Sequence, residues 1–79
     1  MTKIQILGPG CARCVRLYEA AQEAARDLGL QCEFEKVTDI QRITSFGVMM
    51  TPALVVDGDI KVSGKVPSVE EIKKILAPA

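Results

Sequence analysis

A chain of 79 residues with ten basic and ten acidic side chains carries no formal net charge. It shows neither the basic stripe that attracts nucleic acid nor an acidic tail. Hydrophobic residues make up 48% and aromatic residues 4%, a globular composition in which Ala, Val, Ile and Leu must fill one small core.

A domain this small buries only about 60% of the surface its unfolded chain exposes, so one domain over residues 1–79 is expected. The longest apolar runs, Val48–Met50 and Ala53–Val56, are far shorter than a membrane span. The N-terminal residues enter a structured pattern at once, without a signal-like apolar region. The expectation is a cytoplasmic monomer with no membrane or nucleic-acid partner.

Lys3–Leu7 alternates and then turns apolar, which predicts a strand; Gly8-Pro9-Gly10 breaks it. From Cys11 to Leu28 the period becomes helical. Cys14, Leu17 or Tyr18, Ala21, Ala24 or Ala25, and Leu28 recur at three- and four-residue steps. Gly29 stands where a C-terminal cap belongs. Leu30–Val37 alternates again, with Leu30, Cys32, Phe34 and Lys36 on one face and Gln31, Glu33, Glu35 and Val37 on the other. Strand, helix, strand at this spacing suggests a βαβ unit with parallel strands.

Thr38 is expected to open a short helix, with Gln41 completing a capping box and Ile40, Ile43 and Phe46 facing inward. Gly47 ends it. Ala53–Val56 is a short apolar strand, Asp57-Gly58 a hairpin turn, and Ile60–Ser63 the antiparallel return. After a loop from Gly64 to Pro67, Ser68 and Glu71 form a capping box for a last helix that buries Ile72, Ile75 and Leu76. The order is β-α-β-α-β-β-α, an α/β chain.

Three cysteines are an odd number, unlike a secreted disulfide scaffold. In a reducing compartment a close pair is usually catalytic or metal-binding. Cys11-Ala12-Arg13-Cys14 falls between the first strand and the first helix. Orphan N–H groups and the positive end of the helix dipole favour a thiolate at Cys11. Such placement lowers a cysteine pKa from about 8.5 to roughly 3.5–7.5.

Between Gly8 and Tyr18 the only charged residues are Arg13 and Arg16. Arg13 reads either as a modulator that holds the thiolate or as a solvated arginine; Arg16 reads as the latter. Cys11 at the helix tip is the expected nucleophile and Cys14, one turn deeper, the resolving thiol.

The chain resembles the thioredoxin–glutaredoxin superfamily, and most closely its short redox-active disulfide proteins from bacteria and archaea. The resemblance rests on Gly8-Pro9-Gly10-Cys11-Ala12-Arg13-Cys14, on Gly47-Val48-Met49-Met50-Thr51-Pro52-Ala53-Leu54-Val55-Val56, and on Gly64-Lys65-Val66-Pro67-Ser68. It covers essentially the whole chain.

It implies a thioredoxin-like fold with a central four-stranded mixed sheet flanked by three helices. It also implies thiol–disulfide oxidoreductase activity through Cys11 and Cys14, without cofactor or bound metal. In such proteins the peptide before the proline is cis, here Thr51-Pro52. Thr51 would offer its backbone to an extended client chain, and the ring of Pro52 would shield the cysteines from metal. Implied partners are disulfide-containing client proteins and a thioredoxin-reductase-type or glutathione-based electron donor.

The chain departs from the usual pattern in three ways. It has Ala-Arg between its cysteines, no Trp before Cys11, and only Gly64 and Ser68 as an echo of the glutathione-holding segment. No counterpart of the usual buried acid is evident in either early strand.

Cys32 reads as a buried, inert thiol and Tyr18 as half-buried packing. Met49 and Met50 read either as an adaptable contact surface or as packing. Lys36 and Lys65 read as solvated lysines. The competing function is a Cys-x-x-Cys metal carrier. Small copper carriers place the motif similarly but end in a strand, whereas this chain ends in a capped helix.

Overall fold

The computed structural model describes residues 2–10 and 12–77. In chain order the elements are β1 (Thr2–Leu7), α1 (Ala12–Leu28), β2 (Cys32–Val37), α2 (Ile40–Ser45), β3 (Ala53–Val56), β4 (Asp59–Ser63) and α3 (Val69–Leu76). β1 pairs in parallel with β2, from Thr2 opposite Cys32 to Leu7 opposite Val37. On its other side β1 pairs antiparallel with β3, from Ile4 opposite Val56 to Leu7 opposite Ala53. β4 adds antiparallel to β3, giving the order β2-β1-β3-β4. The fold is α/β, a four-stranded mixed sheet with three helices, as expected.

Strand alternation divides the core between the two faces of the sheet. Ile4, Ile6, Leu54 and Val56 face α1 and α3, meeting Leu17 and Ile72. Leu7, Val37, Ala53 and Val55 face the other way and meet Ile43 of α2. Ala21, Ala24 and Ala25 of α1 are buried. Small side chains on that stripe let the helix lie close to the sheet.

Local chemistry ends each element. Gly29 adopts φ +68. Its N–H donates to the Arg26 carbonyl at 3.1 Å, and Leu30 N–H donates to Ala25 O at 3.0 Å. These are the two bonds of a Schellman cap. Asp57 (φ 50) and Gly58 (φ 86) form the two-residue hairpin turn with both dihedrals left-handed. Ser68 and Glu71 make the predicted capping box on α3. Lys73 of α3 reaches Asp27 of α1 at 3.1 Å.

The structure corrects the reading of the second helix. Asp39, not Thr38, is its N-cap, and its carboxylate accepts from Gln41 N–H at 3.0 Å. An Asx side chain competes well for that position, so the helix starts one residue later. Ile40 becomes its first residue and is 66% exposed, while Ile43 is buried and Phe46 partly so.

Leu28 also lies outside the core. The 17 residues of α1 rise about 25 Å, whereas the six of β1 extend about 20 Å, so the last turn overhangs the sheet. β2 begins at Cys32 instead of Leu30 because the Leu30 N–H is committed to the cap of α1. The β3–β4 register advances from Leu54 opposite Val62 to Val55 opposite Ile60. Lys61 is therefore the extra residue of a bulge on the edge strand.

Candidate functional site

Strand register builds the site. β1 ends at Leu7, directly opposite Ala53, the first residue of β3. The next residues outward are Gly8 on one strand and Pro52 on the other. Gly8 is anchored by its N–H, which donates to Val37 O at 2.9 Å. Gly10, with φ +92, then turns the chain into α1, a conformation that favours glycine.

Cys14 lies in the first turn of α1 and is buried. Its Sγ sits over Gly8 so closely that a β-carbon there would collide with it, and that same point is 3.8 Å from Pro52 Cα. The Thr51-Pro52 peptide is cis. Pro52 is fully buried and Thr51 partly exposed. Cys14 and Pro52, 38 positions apart in sequence, thus meet across Gly8. Cys11 lies outside the described residues.

Arg13 is exposed, and its Nη2 donates to the carbonyl of Gly64 at 2.9 Å. The Gly64 N–H donates to Pro52 O at 2.9 Å, and Ser63 Oγ donates to Met50 O at 3.3 Å. The first turn of α1 contains no acidic residue, so no carboxylate opposes the positive end of the helix dipole. Met49 and Met50, just before Thr51, are 96% and 61% exposed.

A cavity of about 170 Å³ opens beside Cys14, lined also by Gly8, Val15, Lys36 and Thr38. The Lys36 ammonium stands 4.4 Å above the ring of Tyr18, a cation–π contact. Tyr18 packs edge-on against Phe34 at 5.9 Å. Lys36 is exposed, as expected, with its ammonium resting over that ring.

Cys32 is partly buried against the α1 face of the sheet. Burial first, and the nearby Asp57 charge second, push its thiol pKa up. Both effects favour the thiol over the nucleophilic thiolate.

The contacts of two participants escape the sequence reading. Gly8 reads there as a strand breaker within the cysteine motif, and Gly64 as loop and as an echo of a glutathione-holding segment. Each shows its place when residues distant in sequence are brought beside it. Among the described residues no group of three or more Cys, His, Asp or Glu side chains could hold a metal ion, and no helix is long and apolar enough to cross a membrane.

A family described as thioredoxin domain matches residues 2–77. The chain is 49% identical over 77 residues to a thioredoxin of Methanothermobacter thermautotrophicus, spanning 98% of this chain and 100% of that protein. It is 43% identical over 76 residues to a thioredoxin of Methanocaldococcus jannaschii, spanning 96% of this chain and 87% of the relative.

Proposed function

The chain belongs to the thioredoxin family and is a thiol–disulfide oxidoreductase; from that premise we propose that Cys11 and Cys14 are its redox pair and that Thr51 and Pro52 receive the client. The observation that carries this reading is the burial of the Cys14 sulfur over Gly8, beside Pro52. A thiol so enclosed is poorly placed to meet a protein disulfide first, which suits it to resolve a mixed disulfide formed by another cysteine.

In the reductive direction, the Cys11 thiolate attacks one sulfur of the client disulfide. The client S–S bond breaks, a Cys11–client bond forms, and the first client sulfur leaves as a thiolate that takes a proton from solvent. The Cys14 thiol gives up its proton and attacks Cys11 Sγ, and the second client sulfur departs as a thiolate that takes up the equivalent of that proton. The client gains two electrons and two protons, and the protein is left with a Cys11–Cys14 disulfide. A reductase-type donor returns both electrons.

A glutathione-based donor has less support. Gly64 already bonds Arg13 and Pro52, and the Ser68 hydroxyl is engaged in the cap of α3. Both residues that echo a glutathione-holding segment are thus occupied within the protein. Residues 1–79 act as one cytoplasmic, monomeric domain on this reading. The metal-carrier alternative is not favoured by family membership.

Cysteine variants test the assignment. Cys11→Ser should abolish insulin reduction, and Cys14→Ser should accumulate a mixed disulfide visible by non-reducing electrophoresis and mass spectrometry. Wild-type turnover in Cys11→Ser would show that another sulfur is the nucleophile.

A further inference from the structure

Two hydrogen bonds through a single glycine join the residue preceding Cys14 to the cis-proline. Arg13 Nη2 donates to Gly64 O at 2.9 Å, across 51 positions of sequence. Gly64 N–H donates to Pro52 O at 2.9 Å. Gly64 has little freedom to be anything else. Its φ is +80, and a β-carbon there would lie 3.0–3.2 Å from Cβ, Cε and Sδ of Met50. Ser63 Oγ holds the other side of Met50 through its carbonyl at 3.3 Å. The start of α1, the end of β4 and the Met50–Pro52 segment are thereby laced together.

We propose that Arg13 is a positioning residue. Through Gly64 it fixes the height of the Thr51-Pro52 edge relative to the cysteine pair, so that a client strand docks with its disulfide in reach. The proposal rests on the reading of Thr51 and Pro52 as the client edge.

Charge alone does not account for this geometry. An exposed guanidinium acting only by its field is screened within about 8–10 Å at ordinary salt and has no need of a single carbonyl partner. The Nη2–H that reaches the Gly64 oxygen is held in the plane of the guanidinium, whereas a lysine ammonium is a compact point charge on a flexible stem of different reach. Cut from Arg13, the Gly64 carbonyl bonds water, and the Thr51-Pro52 segment keeps its link to Gly64 and its packing near Cys14 but loses its hydrogen-bonded link to α1.

The test compares Arg13→Ala and Arg13→Lys with wild type, using insulin and a small disulfide such as hydroxyethyl disulfide. Arg13→Ala should lower kcat/KM for insulin about fivefold, the scale of one hydrogen bond. The loss should fall mainly on KM and be larger than the loss for the small disulfide, which has no strand to dock. It should persist in 0.5 M salt, on the order of a 4 Å screening length. Arg13→Lys should recover little of it. The backbone amide resonances of Gly64 and Lys65 should shift in both variants.

Equal losses on the two substrates that vanish in high salt, with Arg13→Lys behaving as wild type, would overturn the proposal in favour of a charge effect on the thiolate. Unchanged insulin kinetics in Arg13→Ala would overturn it outright. Titrating an insulin B-chain peptide with blocked cysteines onto the wild-type protein separates the two readings. If the Thr51 amide resonance does not move, the client-edge reading fails, independently of Arg13.

Discussion

Gly8 shows how much of the site depends on the absence of an atom. A β-carbon at this position would occupy the place of the Cys14 sulfur. The constraint is one of space, because the residue needs no left-handed dihedral. Gly8→Ala must push the first turn of α1 away from the sheet or twist β1 where it bonds Val37. We expect a stability loss of about 1–3 kcal/mol, typical of overpacking, together with slower insulin reduction. Urea unfolding and turnover measured on the same preparation check it, and a variant equal to wild type in both would refute the contact.

The cysteine pair, by contrast, is legible in the amino-acid sequence. Its spacing, its glycine-rich approach and its position at a change of periodicity are all local. The space Gly8 leaves is not visible there, because the sulfur it accommodates lies across a turn and the proline beside it lies 44 positions away.

At the scale of elements, boundaries are readable wherever the ending device is contained in a few residues. The Asp57-Gly58 turn, the Gly29 cap and the Ser68–Glu71 box are of this kind. Ser68 accepts from Glu71 N–H at 3.1 Å, and Glu71 Oε1 accepts from Ser68 N–H at 3.3 Å. Ser68→Ala removes the first of these bonds and should cost about 1 kcal/mol. The check is the urea midpoint, with the slope unchanged; an unshifted midpoint would mean that the cap does not contribute to holding α3. The start of the second helix is harder to read for a related reason. The sequence reading opens that helix at Thr38, whereas the Asp39 carboxylate caps it. The structure chooses Asp39 because β2 continues to Val37 to pair with Leu7, which leaves the cap to the second residue beyond the strand.

For the whole molecule, the face of the sheet under α2 carries a polar cluster that joins three elements. Glu35 of β2 accepts from Gln5 Nε2 of β1 at 2.8 Å and from Arg42 of α2 at 3.1 and 3.3 Å. Lys3 approaches to 4.0 Å. The Arg42 hydrogen bond first, and the Gln5 amide second, hold the Glu35 carboxyl below its ordinary pKa. A carboxylate with a depressed folded value binds its proton less readily folded than unfolded. Its contribution is complete above the unfolded value, about pH 4.3, and is lost as pH falls through the lower folded value. Wild-type stability should therefore decline on that acid limb. Glu35→Gln should be less stable than wild type at pH 7 and show a flatter limb. Denaturant midpoints between pH 2 and 7 measure this, and parallel curves for the two proteins would remove Glu35 from the account.

Local sequence dictates the seven elements, their order and the placement of a Cys-x-x-Cys at a helix start. Hydrophobic period, left-handed turn residues and caps are all written within a few neighbouring positions. It takes the folded chain to make Gly8, Cys14 and Pro52 converge, to bring Arg13 to Gly64, and to set Gln5, Glu35 and Arg42 on one face. Those meetings depend on strand register. Here the register is fixed by the need to bury both faces of β1 and β3 at once, since a slip of one residue would exchange their two cores.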